Sequence, residues 1–138
     1  MAKVSGLGDY FGCDDSGGTE RDLSNDVTSV TFNQGQNLKD ITGLDKSAIE
    51  RLALLGDITL TISGVFNSAS NKSHAVFSNL ANTRSIRYCV GGDSSSNPEL
   101  NAEILLGSYD LSRGGDGSLT FSVSGSLANG TVPTWTTV

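Results

Sequence analysis

The sequence predicts a mostly β, single-domain fold with one helix and a second, shorter one. Three observations predict it. The chain has 138 residues, room for one hydrophobic core and too few for two. Seventeen glycines, with many serines and threonines beside 36% hydrophobic residues, suit strands and turns better than helices. Two segments, 57–66 and 118–127, alternate oily and hydroxylated side chains with the two-residue period of a half-buried strand.

Residues 1–22, rich in glycine and aspartate, read as an extended arm that orders against a partner, with Tyr10 and Phe11 as its anchors. The main domain then spans 23–130 and a C-terminal tail 131–138. Residues 27–33 form the first strand, with Val30 and Phe32 on one face and Val27 on the other. Residues 36–42 are a weaker strand beyond Gly35. Ser47 and Glu50 have the spacing of a capping box, and Ile49, Leu52 and Ala53 follow at helical intervals, so a helix is expected over 48–55 with Gly56 as its stop.

Ile58, Leu60, Ile62 and Phe66 then line the oily face of a strand whose other face carries Thr59, Thr61, Ser63 and Val65. A short second helix over 72–82 would bury Val76, Phe77 and Leu80, and 84–90 alternate through Ile86, Tyr88 and Val90. Residues 91–98 have the composition of a surface loop. Residues 99–110 and 118–127 form a hairpin around Gly114 to Gly117, where Asp116-Gly117 supplies the positive φ of a tight turn. Leu119, Phe121, Val123 and Leu127 alternate there with Thr120, Ser122, Ser124 and Ser126. Trp135, in the tail, needs either its own core or a neighbouring molecule to pack on.

Charge narrows the function. Nine basic and fifteen acidic residues give a net charge of -6, the wrong sign for a protein that binds nucleic acid by displacing counterions from phosphates. The acidity lies mostly in residues 1–69, with ten acidic and five basic side chains. No apolar run has membrane-spanning length and no secretory signal begins the sequence, so a protein made and kept in the cytoplasm is expected, with no membrane partner. Cys13 and Cys89 read as two unpaired thiols.

Catalytic and metal chemistry find little support. His74 is the only histidine, which excludes multi-histidine metal sites and leaves any Ser-His-Asp triad on one residue; no GxSxG elbow surrounds a serine. Asp14-Asp15 with Asp9 or Asp22 lacks the alternating spacing of a calcium loop and reads as a solvated acidic arm. Gly114 to Gly117 have no following lysine and sit between strands, so they are a turn and not a phosphate loop. Cys89 beside Arg87 reads as a space-filling residue. No enzyme activity, cofactor or metal is expected.

Several short motifs, in order, resemble the major tail tube proteins of siphophages, the long-tailed, non-contractile bacterial viruses. They are Asp22-Leu23-Ser24 before Val27-Thr28-Ser29-Val30; Leu38 to Thr42; Gly56-Asp57-Ile58-Thr59-Leu60 into Ser63-Gly64; and Gly107-Ser108-Tyr109 leading to Asp116-Gly117-Ser118-Leu119-Thr120-Phe121-Ser122. The match covers roughly residues 22–130. The resemblance implies a non-catalytic β-sandwich or barrel-like tail-tube fold flanked by a helix, which assembles with copies of itself into rings, hexameric in the family, stacked as a tube. DNA and the tape-measure protein pass through it at genome ejection, and terminator and initiator proteins are its other partners. Its place would be the virion tail.

Duplex DNA carries about one charge per 1.7 Å and would stick to a basic channel. The hydroxyl faces at Thr59, Thr61, Ser63, Thr120, Ser122 and Ser124 are therefore the candidate lumen lining; an ordinary solvent face is the plain alternative. Tyr10, Phe11, Gln34, Gln36, Asn37, Lys39, Asp40 and Trp135 are the candidate inter-subunit residues, and deletion of residues 2–20 is expected to spoil tubes while sparing the monomer. Two other readings stand beside this one. A related tube or connector subunit, such as a secretion-system tube protein or a tail terminator, shares the sandwich logic. A carbohydrate-binding or adhesin-like β-module would stack sugars on Trp135, Tyr88 and Tyr109.

Overall fold

The computed structural model of the chain describes residue 3 and residues 5–138. Among them, eight strands and one short helix follow in the order β1 (Tyr10–Asp14), β2 (Glu20–Asp22), β3 (Val27–Asp40), β4 (Arg51–Val65), α1 (Ser73–Phe77), β5 (Thr83–Cys89), β6 (Pro98–Arg113), β7 (Leu119–Leu127) and β8 (Trp135–Thr137). The strands join one antiparallel sheet in the order β2-β1-β5-β6-β7-β4-β3, with β8 on β6. Three strands separate β5 from β3 in that order, yet the Phe32 and Tyr88 rings meet edge to face with centroids 5.5 Å apart. The sheet therefore curls over onto itself and encloses its core.

That core draws on both layers: Phe11 and Cys13 of β1, Ile86 of β5, and Leu100, Ala102 and Ile104 of β6 face Ile58, Leu60 and Ile62 of β4 and Phe121 and Val123 of β7. One long strand, β6, serves both layers because its register shifts between Leu106 and Ser108. The bulge turns Tyr109 inward where strict alternation from Leu106 would turn it out. Gly64 is required where β4 passes the start of β3, since a Cβ there would lie 2.3 Å from the Asp26 carbonyl oxygen and 2.8 Å from the Phe121 ring.

Two buried charged side chains hold α1 to this body. The Asp26 carboxylate accepts hydrogen bonds from the Ser73 backbone N–H at 3.1 Å and from Asn67 Nδ2 at 3.0 Å. At the other end, fully buried Arg84 donates to the carbonyl oxygens of Val76 at 2.8 Å, Asp14 at 3.1 Å and Ala81 at 3.1 and 3.2 Å, and also to that of Asn79. Carbonyls that would otherwise be orphaned beyond a one-turn helix thus share one guanidinium.

The mostly β class holds, with its helix in the later of the two expected places: α1 lies within 72–82 and buries Val76 and Phe77. The helix expected over 48–55 is absent, and Arg51 to Leu55 are strand. The Glu50 N–H goes to Thr42 Oγ1 at 2.8 Å and the Ile41 N–H to Glu50 O at 2.9 Å, so these groups close a hairpin instead of a capping box. An eight-residue helix is marginal by itself, whereas β3 pairs with Arg51, Leu52 and Ala53 and takes up again at Gly56.

Two further expectations are corrected. Val27 packs on the core with Val30 and Phe32, because a register shift between Val27 and Ser29 adds a residue to β3. The arm expected over 1–22 is sheet from Tyr10 onward, and Phe11 and Cys13 are core; its residues 1, 2 and 4 lie outside the described residues. Deleting residues 2–20 would accordingly remove core along with the arm.

Arg84→Met keeps the apolar stem but leaves buried carbonyls without a donor. It should lower unfolding stability by about 3 kcal/mol, read as a fall in urea midpoint, and Arg84→Lys should recover little because one ammonium cannot span the acceptors.

Candidate assembly surfaces

Residues paired across an antiparallel ladder share a face, so the registers assemble the hydroxyl positions into rows. Thr31, Thr61, Ser124 and Ser108 make one row across β3, β4, β7 and β6; Ser29, Ser63, Ser122 and Asp110 make the next. Asn33, Thr59, Ser126 and Leu105 flank them on one side, and Val65, Thr120 and Ser112 on the other, so each flanking row carries one exposed aliphatic side chain. Ser108 and Ser124 hydroxyls lie 2.8 Å apart. All six hydroxyl residues singled out from sequence fall on this face. Ser126 continues the alternation already read over 118–127, whereas Ser29, Thr31 and Asn33 of β3 and Ser108, Asp110 and Ser112 of β6 join the face only through the strand pairing. These rows carry one carboxylate, Asp110, and no cation.

A second surface rises from the end of that sheet. β4 pairs with β7 only from Thr59 to Val65, while Arg51 to Ile58 pair with β3 alone. At roughly 3.3 Å per residue, this part of the β3–β4 hairpin projects about 25 Å from the body. The chain's own tail buttresses its root: Gln34 Nε2 donates to Pro133 O at 3.0 Å, and Val132 packs so closely on Gly56 that a Cβ there would meet it at 2.8 Å. Asp40 closes the tip by accepting from Thr42 N at 3.0 Å and Thr42 Oγ1 at 2.6 Å, and these bonds hold its carboxyl below the usual range.

Beyond the root nothing of the described chain covers the hairpin. Leu44 is fully exposed, Leu55 is 81% exposed, Leu38 and Ile49 are 60% exposed, and Ile41, Leu52 and Leu54 are each about half exposed. Of the candidate inter-subunit residues, Gln34, Gln36, Asn37, Lys39 and Asp40 all stand exposed on this hairpin. Trp135 is half exposed on β8, opposite Leu100. Tyr10 and Phe11 stand elsewhere: Tyr10 donates to Glu20 Oε2 at 3.0 Å under the Arg87 guanidinium, and Phe11 is spent inside its own core. In sequence Ile49 and Leu52 follow helical intervals while Leu38 and Ile41 fall in the weaker strand over 36–42, so the aliphatic positions do not read as one hairpin.

The outer side of β1 and β5 is charged. Arg87 meets Glu99 at 2.8 Å, Glu20 at 3.6 Å and also Asp93, whose hydrogen bond raises the arginine pKa. Burial pushes the Asp14 carboxyl above its ordinary value, with Glu103, Glu20 and Asp15 adding to the rise against a bond from the Ser85 backbone. Burial likewise raises the Cys89 thiol and lifts Cys13 to about 12, so both stay protonated and shielded. His74 packs on Phe66 with Nδ1 3.2 Å from Tyr109 Oη, while neighbouring Ser73 gives its hydroxyl to Val65 O. Among the described residues no three His, Cys, Asp or Glu side chains gather as metal ligands, and no helix is long and apolar enough to cross a membrane.

Because its folded-state pKa is raised, ionised Asp14 works against folding, and its favourable contribution is lost as pH rises through that pKa. Asp14→Asn should therefore unfold at higher urea than the parent at pH 7. The gap should close as pH falls below the carboxyl's ordinary 3.8; a gap unchanged between pH 7 and pH 3 would contradict the assignment.

No known family profile and no curated protein matches the chain. Solved structures do. A chain from the tail of an empty gene transfer agent particle, refined with helical C6 symmetry, superposes with a TM-score of 0.73 at 13% identity, covering 99% of both chains. A chain from the virion of a native gene transfer agent particle superposes at 0.71 and 10% identity, again over 99% of both. Over its whole length, then, this chain has the fold of a chain from the tail of a gene transfer agent particle.

Proposed function

We propose that the protein is the structural subunit of a phage-like tail tube, which closes into hexameric rings with copies of itself and stacks them into a channel for DNA at genome ejection. The observation that carries this reading is the β3–β4 hairpin, a long apolar projection on a body whose core is otherwise closed. An aliphatic surface of that size on a folded monomer is a contact surface. The fold likeness to a chain in a helical C6 tail supplies the architecture in which such contacts repeat.

Lateral closure uses a different feature. β3 is the edge of the sheet, paired on one side only, and its unpaired backbone groups are satisfied when a neighbouring copy adds a strand. Ring closure consumes both edges of every subunit and leaves none for further growth sideways. Gln34, Gln36, Asn37, Lys39 and Asp40 border that edge, and the half-exposed Trp135 serves the contact on the β8 side.

The hydroxyl face lines the bore. Its side chains hydrogen-bond water and present no cation to phosphates, so DNA slides with little retention. The tape-measure protein fills the same bore before ejection, and terminator and initiator proteins meet the two tube ends. The tube stands in the virion tail and its subunits are made in the host cytoplasm. No step requires catalysis or a cofactor.

Negative-stain microscopy of the protein with its initiator decides between tubes and the single closed rings of a connector. Leu44→Glu/Leu55→Glu should leave the circular dichroism and melting temperature unchanged while abolishing tubes; tubes of normal length would sink the role given to the hairpin. Thr61→Lys/Ser124→Lys should still form tubes but cut DNA delivery at least tenfold, and undiminished delivery would remove these residues from the bore.

A further inference from the structure

We infer that Asn129 is a self-modifying site: the Gly130 nitrogen displaces the Asn129 side-chain amide as ammonia, and the isoaspartyl form that results loosens the tail's brace on the hairpin root. Of the ten asparagines, only Asn129 is followed by glycine. Asn129, Gly130 and Thr131 are all exposed in the segment after β7. Gly130 takes φ +74°, and without a Cβ beside it its nitrogen is unhindered. Among the described residues the Gly130 N–H has no acceptor, whereas the Thr131 N–H donates to Asn129 Oδ1 at 3.1 Å. That donor polarises the side-chain carbonyl and stabilises the negative oxygen that forms when Cγ is attacked.

The Gly130 nitrogen bonds to Asn129 Cγ, its proton leaves with the departing ammonia, and a cyclic succinimide remains. Water then opens the ring. Opening at the side-chain carbonyl gives aspartate, and opening at the main-chain carbonyl gives isoaspartate, in which the main chain runs through Cβ. Other positions lack one part of this arrangement. Asn79 accepts from Ala81 N at 3.0 Å in the same kind of turn, but leucine follows it. Asn97 precedes Pro98, which has no N–H, and Asn67 is tied to Asp26 through Nδ2 at 3.0 Å. At Asp116-Gly117 the Gly117 N–H is already bonded to Gly114 O at 3.0 Å, and bonds from Ser118 hold the Asp116 carboxyl below the usual range.

The site's location decides the effect. Asn129 borders a hollow of about 370 Å³ together with Glu103, Thr131 and Val132, so either product sets a second carboxylate beside Glu103. Only isoaspartate reroutes the chain. It adds a main-chain carbon between Ala128, whose N–H is bonded to Glu103 O at 3.0 Å, and Pro133, whose carbonyl accepts from Gln34 Nε2 at 3.0 Å. With both ends anchored, the added length falls on Val132, which packs on Gly56 at the root of the hairpin.

The test holds the purified protein in mildly alkaline buffer and follows each asparagine by peptide mass spectrometry, with an isoaspartate-specific methyltransferase to label the rearranged form. Residue 129 should deamidate at least ~10-fold faster than Asn79, because glycine leaves the attacking nitrogen unhindered. The rate should climb with pH, since that nitrogen attacks after losing its proton. A rate at 129 no greater than at Asn79 would overturn the site. Hydrogen exchange reads the brace. The fractionated isoaspartyl form should exchange faster at Val132 and Thr134 than fresh protein, whereas Asn129→Asp, which adds the charge without the extra carbon, should not. Asn129→Gln should gain no charge at this position over the same incubation. Exchange unchanged in the isoaspartyl form, or raised equally in Asn129→Asp, would overturn the effect on the brace.

Discussion

A side chain on a β-strand can face only one of two ways, and β4 lies where both ways matter. Ile58, Leu60 and Ile62 point into the core, which commits Thr59, Thr61 and Ser63 to the other side. The ladders to β3 and β7 carry that commitment sideways, since directly paired residues share a face. A slip of one residue would turn the isoleucines out and the threonines in, so the burial that stabilises the fold also fixes a four-strand hydroxyl surface. The surface needs no separate stabilisation because it is the reverse of the core.

The same strand then leaves the body. From Ile58 back to Arg51 its backbone pairs with β3 on both sides of the irregularity at Leu54 and Leu55, so the projection costs little in unsatisfied polar groups. Its side chains are another matter, since covering a leucine is worth roughly 2 kcal/mol and the hairpin leaves seven aliphatic residues uncovered. A monomer gains nothing from that arrangement. An assembly recovers the difference at every contact, with the free energy of burial deferred from folding to association.

How much of this could be read from sequence depends on whether the determining interaction was local. The alternation through Thr59, Thr61, Ser63 and through Thr120, Ser122, Ser124 is local, and both strands and their hydroxyl sides were legible. The 48–55 segment was misread because its local signals, Ser47 with Glu50 and the spacing of Ile49, Leu52 and Ala53, favour a helix, whereas pairing with Leu38, Lys39 and Asp40 is a contact between distant positions. A register shift between Gln36 and Leu38 also breaks the alternation that would have marked the strand. Val27 was assigned to the wrong face for the same kind of reason, a bulge that only the partner strand reveals. Phe11 and Cys13 sit among glycines and aspartates whose composition suggests an arm, and what recruits them to the core is an edge of β5 some 75 residues away.

Exposed apolar strands invite indiscriminate association, and the hairpin carries the chemistry that restrains it. Lys39, Asp40, Asp45, Lys46, Glu50 and Arg51 are set among its aliphatic residues, three of each sign, with Lys39 paired to Leu52 and Asp40 to Arg51 across the ladder. Charges placed among oily residues penalise any contact that buries them without partners, so two hairpins meeting at random would desolvate several charges to cover a few leucines. A partner that receives the aliphatic residues while leaving those charges at its rim avoids that cost. The hairpin thus discriminates by what its charges forbid as well as by what its leucines favour, which is how a sticky surface stays compatible with an ordered, directional assembly.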